Sequence, residues 1–201
     1  MNSLQQYFRA AAGRARLRWF RWREAGRHRE FSLGFGCEAA VPLRGGGSGT
    51  VRVGRNNLFG FRDAFRLGNG EILFQARGAE AVIEIGDRNH ISNNVAIVAS
   101  RRISIGNGCQ IGDLVAIYDS DFHELNPATR TRSGGPSAPV VIGNNVWLGS
   151  RVMVLKGVSI GDNSVVGAMS VVTKSIPANC VAAGNPARVI RQLDQAPPVA
   201  K

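Results

Sequence analysis

The sequence predicts an all-β solenoid preceded by one helix, and three observations carry that prediction. Aliphatic residues recur every six positions over long stretches. Glycine supplies 25 of the 201 residues, well above its usual share and without the three-residue period of collagen, so the backbone turns many corners. Basic charge is concentrated at one end: residues 1–30 hold eight arginines against Glu24 and Glu30, in a chain whose net charge is +11.

Residues 4–29 read as a helix. Leu4, Phe8, Ala11, Ala15, Trp19 and Trp22 form an apolar seam, with Leu17 and Phe20 beside it and arginines around it. Gly13 and Gly26 weaken the helix somewhat. Residues 1–32 are therefore expected to be a basic amphipathic extension. Three uses suit it: adsorption to an anionic membrane surface, packing against the β domain or neighbouring subunits, and nucleic-acid binding. The last is the weakest, because no recognised nucleic-acid module accompanies the charge.

The repeat begins at Leu67 and steps by six through Leu73, Ala79, Ile85, Ile91, Ile97 and Ile103. After a two-residue slip come Ile105, Ile111 and Ile117, and beyond an interruption Ile142, Leu148, Val154, Ile160, Val166 and Val172. Gly143, Gly149, Gly161 and Gly167 each follow an aliphatic of that last run. Four positions after each aliphatic stands a second mostly small or β-branched residue: Val146, Val152, Val158, Ser164, Ser170, Ile176. A helix would repeat near 3.6 residues and a surface strand near two. Six is a multiple of two, so short strands fit if a corner interrupts them at fixed intervals, as at Gly143–Asn145 and Gly161–Asn163. Stacked coils would then pair strands in parallel and bury one aliphatic column.

The repeat breaks over 118–141, where Pro127, Pro136 and Pro139 with Gly134 and Gly135 exclude a regular strand. A protruding loop is expected there, and loops on rigid scaffolds commonly carry chemistry. It holds His123, one of three histidines. Residues 194–201 read as a flexible tail. Three scattered cysteines, Cys37, Cys109 and Cys180, make no metal spacing or disulfide framework. With no long apolar run and no apolar signal core, the expectation is a cytoplasmic protein, with the inner face of the membrane as a second location.

The stretches Val140–Ser150, Ser164–Lys174 and Val181–Arg191 together resemble the hexapeptide-repeat acyltransferases, specifically their galactoside and maltose O-acetyltransferase branch. The resemblance is dense over residues 85–191 and implies a left-handed parallel β-helix of triangular coils, here over residues 33–193. It further implies a homotrimer that takes acetyl-CoA as donor and a carbohydrate hydroxyl as acceptor, in surface polysaccharide or lipopolysaccharide modification. His123 precedes Trp147 by the spacing that family shows between its catalytic histidine and a coil tryptophan, so His123 is the implied catalytic residue.

Donor contacts carried over from the family are Trp147, Gly149, Ser150, Ala168, Thr173, Lys174, Arg188 and Arg191, the cations meeting the nucleotide phosphates. An acceptor-binding asparagine of the family aligns with Ser92, with Asn93 and Asn94 adjacent. Asp119, Asp121 or Glu124 stands ready to orient the imidazole, and Asp121 and Glu124 to touch acceptor. Transfer to a hydroxyl needs a base, and imidazole, with an ordinary pKa near 6.5, suits neutral pH. No serine or cysteine shows a nucleophile signature, so direct transfer is expected. Within acyl transfer, acetylation of an amino sugar or an antibiotic stays open. Two rivals lie outside it: a non-catalytic solenoid, and a zinc hydratase of similar fold, which would need three imidazoles from His28, His90 and His123. No metal is expected.

Overall fold

The computed structural model describes residues 3–132 and 134–193, the side chains of residues 3–10 excepted. The expected tail, 194–201, and the side chains of the seam residues Leu4 and Phe8 lie outside what is described. Three parallel sheets form the faces of a prism. The first holds Glu30–Leu33, Thr50–Val53, Val82–Ile85, Arg102–Ile105, Val140–Ile142 and Ser159–Ile160. The second holds Glu38–Ala39, Leu58–Phe59, His90–Ile91, Gln110–Ile111, Trp147–Leu148, Val165–Val166 and a closing antiparallel hairpin, Cys180–Gly184 with Ala187–Gln192. The third holds Leu43–Gly47, Ile72–Ala76, Ala96–Ala99, Ala116–Tyr118, Met153–Val154 and Val171–Val172. The chain visits the faces in that order and starts again, so each strand pairs with its counterpart one coil away.

Register follows the repeat. Ile142 pairs with Ile160, Leu148 with Val166 and Val154 with Val172, each eighteen residues on, three faces of six. From Ile85 to Val172 every aliphatic of the frame is buried, as are Val146, Val152, Val158, Ser164, Ser170 and Ile176. Each buried branched side chain contributes about 1.5–3 kcal/mol. Ser164 and Ser170 are tolerated inside because their hydroxyls donate to the carbonyls of Pro177 (2.7 Å) and Gly167 (2.6 Å). Asn145 and Asn163 turn their corners with φ of 53° and 61°, a left-handed conformation asparagine accepts readily.

Upstream the frame needs correction. Leu67 is exposed, Ala79 is exposed and Leu73 points outward, while Ile72, Phe74 and Ala76 face the core. The 60–71 connection and the corner at 77–81 are longer than the repeat allows, so the six-residue phase does not survive them. The two-residue slip has a specific support. Ile85 and Ile105 pair although twenty residues apart, and the bulged corner is held by Asp119. Its fully buried carboxylate accepts from the backbone N–H groups of Ser100, Arg101 and Arg102 at 2.7, 2.7 and 2.6 Å.

The helix spans Ser3–Glu24, shorter than expected, and residues 30–33 already belong to the first face. It contacts the strands beginning at Glu30, Glu38 and Leu43, one from each sheet, and therefore lies across the open end of the prism. Its buried stripe is Gly13, Leu17, Phe20 and Glu24. The predicted seam through Ala15, Trp19 and Trp22 faces outward instead, because the apolar residues occupy two sides of the helix and Phe20 fills the column. Gly13 suits the close approach: a Cβ there would sit 3.1 Å from the carbonyl oxygen of Ala39, tighter than an ordinary contact. The helix is anchored by Glu24, whose carboxylate is bonded to Arg23 (2.5 Å) and to Nε2 of His28 (3.2 Å). Packing against the β domain, one of the three uses weighed, is thus realised. Among the described residues no helix is long and apolar enough to cross a membrane.

Candidate active site

His123 is carried by the single large excursion of the coil, which leaves the third face after Tyr118 and rejoins the first at Val140. Tyr118, Val140 and Val141, expected in the loop, are strand residues. The loop is closed on itself: the N–H of Asp121 donates to the Pro136 carbonyl (3.1 Å), that of Ala138 to the Asp119 carbonyl (2.9 Å), and that of Phe122 to Ser120 Oγ (3.0 Å). Phe122 adopts φ of 63°, a sparsely populated conformation for an aromatic residue. It is held by edge-on packing against Tyr118 (5.5 Å) and by the Arg77 guanidinium 4.2 Å above its ring. Gly135 packs against the next residue so closely that a Cβ would fall 2.3 Å from the His123 carbonyl oxygen.

The imidazole of His123 is exposed, and its Nδ1 lies 3.1 Å from the backbone carbonyl oxygen of Arg130. A carbonyl only accepts, so Nδ1 carries the hydrogen and the neutral ring keeps its lone pair on Nε2. The neighbouring acids do not orient the ring. Asp119 is consumed by the bulged corner, a correction to its expected role. Asp121 is paired with Lys156 at 2.7 Å and fastens the loop to the corner below. Glu124 is half-buried in the same loop.

The other expected acceptor residues stand elsewhere. Ser92 lines a cavity of about 320 Å³ on the second face, together with Phe61, His90, Gln110, Gly112 and Trp147. Asn93 is fully buried, its amide accepting from the N–H of Phe61 and donating to that residue's carbonyl, both at 2.9 Å. Asn94 turns the corner with φ of 58° and donates to the Phe65 carbonyl. Full burial corrects the assignment of Asn93 as an acceptor ligand, Asn94 is half-buried at its corner, and Ser92 lines the open cavity. His90 and Gln110 were missed. Their signal was available: each precedes a buried aliphatic of the frame, as Trp147 does, and such positions point outward on this face.

Of the donor set, Trp147 is 55% exposed on the second face. Gly149 and Ala168 stack at the corner beyond it, a Cβ on Gly149 falling 2.6 Å from the Ala168 nitrogen. Ser150 donates to Asp113 at 2.6 Å. Thr173 and Lys174 are exposed at the corner between the third and first faces, the corner that also carries the His123 loop two coils earlier. Arg188 and Arg191 are exposed on the final hairpin. Within one chain the set therefore divides. The His123 loop and Lys174 occupy the edge opposite the second face, where Ser92 and Trp147 lie. A site using both needs two chains. The cysteines are poor nucleophiles here: Cys109 is buried, and desolvation raises its pKa and that of half-buried Cys37 above the ordinary thiol value. His28 is buried, with Nδ1 on the Gly49 carbonyl and Nε2 on Glu24, so it cannot join His90 and His123 around a metal.

A triangular prism of six-residue faces, with a loop at one corner that presents an imidazole, is the left-handed β-helix fold of the hexapeptide-repeat acetyltransferases. Residues 139–174 match the family described as bacterial transferase hexapeptide (six repeats). The chain is 44% identical over 112 residues to the galactoside O-acetyltransferase of Escherichia coli K12, covering 56% of this chain and 55% of that one. It is 41% identical over 112 residues to the galactoside O-acetyltransferase of Lactococcus lactis, covering 56% and 54%. The chain thus spans about half the length of the curated relatives it matches. A hexapeptide-repeat acetyltransferase of Vibrio cholerae superposes with a TM-score of 0.59 at 25% identity, over 96% of this chain and 95% of that one. A galactoside acetyltransferase in complex with coenzyme A gives 0.52 at 32% identity, over 80% and 65%.

Proposed function

We propose that the protein transfers an acetyl group from acetyl-CoA to a sugar hydroxyl, in a trimer whose sites lie between protomers. The observation that supports this most is His123 itself: exposed, presented by a strained residue, and fixed by the Arg130 carbonyl in the tautomer that leaves Nε2 free. Nε2 takes the acceptor hydroxyl proton as the oxygen attacks the thioester carbonyl. The tetrahedral oxyanion collapses, the C–S bond breaks, and the imidazolium returns the proton to the thiolate. The acetyl group and proton are thereby accounted for without an acyl-enzyme.

The acceptor enters the second-face cavity beside Ser92 and Trp147. Gly149, Ser150, Ala168 and Thr173 flank the pantetheine, and Lys174, Arg188 and Arg191 meet the phosphates, where a cation is worth more than a neutral donor. The relatives named for galactoside support a sugar acceptor, and the surface-polysaccharide role in the cytoplasm belongs to the same proposal. Acetyl-CoA turnover measured against a panel of mono- and oligosaccharides tests it; turnover with none of them, alongside turnover with an amino sugar or a non-sugar amine, would replace the acceptor class.

Gly135→Ala gives a sharper test of positioning. The added methyl must push the His123 backbone aside, and a displacement near 1 Å costs up to about 10²-fold in rate. Turnover should fall while coenzyme A affinity and melting temperature change little.

A further inference from the structure

The inner face of the terminal helix is occupied by the coil; its outer face is not. Ala15, Trp19 and Trp22 fall on the side opposite Leu17 and Phe20, and the two tryptophans are 52% and 78% exposed. Arg14, Arg18 and Arg21, all exposed, run along one flank of this ridge. On the other flank Arg16 and Arg23 are half-buried and turned inward, Arg16 donating to the Ala39 carbonyl and Arg23 to the Leu43 carbonyl and to Glu24, with the Arg23 guanidinium 4.3 Å over the Trp19 ring. The single carboxylate of residues 3–24, Glu24, is buried and bonded to Arg23 and His28, so no acid of the helix offsets Arg14, Arg18 and Arg21. Because the helix crosses the end of the prism, the ridge faces away from the coils.

We infer that this ridge seats the protein on an anionic lipid bilayer, the indoles entering the headgroup region while Arg14, Arg18 and Arg21 reach phosphates. Tryptophan suits that depth because one edge is apolar and the other donates a hydrogen bond. Arginine can lay its methylenes along the apolar layer and keep its charge at the surface. A second copy of the chain is a poor occupant, since two such ridges would bring like charges together. A nucleic-acid duplex would satisfy the arginines but offers no apolar layer for paired tryptophans.

The test is co-sedimentation of the full chain with vesicles of phosphatidylcholine alone and of phosphatidylcholine with about one-third phosphatidylglycerol. The protein should partition onto the anionic vesicles and scarcely onto the neutral ones. Each surface arginine is worth roughly fivefold in partitioning, so Arg14→Gln, Arg18→Gln and Arg21→Gln combined should weaken it about 10²-fold. Trp19→Ser with Trp22→Ser should weaken it at least about tenfold. All five side chains are solvent-facing, and circular dichroism should show an unaltered fold.

Equal partitioning onto both vesicle types, or anionic binding untouched by the tryptophan pair, overturns the inference. So does preference for duplex DNA over the vesicles, or a loss of assembly in the tryptophan variant without lipid, which would assign the ridge to nucleic acid or to a second copy. No acetyl donor enters the assay, so its outcome is independent of the acetyl-transfer reading.

Discussion

Replacing His123 by alanine is expected to lower acetyl-transfer turnover by about 10²–10⁴-fold, the usual worth of a positioned general base, with coenzyme A affinity nearly intact. The expectation rests on geometry. The ring is held through Nδ1 by the Arg130 carbonyl, its backbone is set by Phe122 and Gly135, and two of the three neighbouring acids are engaged elsewhere. Asp119 is fully engaged at the bulged corner and Asp121 is paired with Lys156. The expected donor contacts lie on the coil and the hairpin, away from this loop, so removing the imidazole should leave donor binding unchanged. Turnover near the wild-type value in His123→Ala would refute the assigned base. A parallel loss of coenzyme A affinity would make His123 a binding residue instead.

The second large effect is on stability. Phe20→Ala should destabilise the protein by about 3–5 kcal/mol, the range for deleting a buried aromatic ring. Phe20 is 1% exposed, meets Phe31 edge-on at 5.3 Å and approaches Phe74 at 6.2 Å. It closes the aliphatic column at the end where no further coil stacks, so its loss leaves a void and loosens the cap together. Trp22→Ser removes a larger but exposed side chain from the same helix, and should shift stability by no more than about 0.5 kcal/mol. Chemical denaturation of the two variants separates these cases. Similar midpoints for both would mean that the helix does not seal the prism.

How far the sequence revealed this arrangement depends on the physics behind each residue. Period six was legible from Ile85 onward because one side chain per face must enter a narrow column, and nothing else there fits. It failed at Leu67, Leu73 and Ala79, where long connections reset the phase and local hydrophobicity cannot say which neighbour points inward. The helix was legible as a helix, but with apolar residues on two sides the buried one was decided by Gly13 fitting against Ala39 and Phe20 reaching Phe74, contacts with no sequence signature. The loop and its histidine were visible as the break in an otherwise regular pattern. The acids and amides around them were not sortable: Asp119, Asp121, Asn93 and Asn94 all look available in sequence, and only backbone geometry shows that the fold has used them. His90 and Gln110 became visible once the inward column was fixed, since the position before each inward residue faces out.

The division of the site between two edges of the prism makes the central claim directly testable. His123→Ala and Trp147→Ala, each strongly impaired alone, can be co-expressed so that mixed trimers form. If each site joins the imidazole of one protomer to the second face of the next, about a quarter of the sites in a random mixture combine intact halves, and activity should recover to about that fraction of wild type. Activity no greater than the mean of the two parent variants would contradict a site shared between protomers.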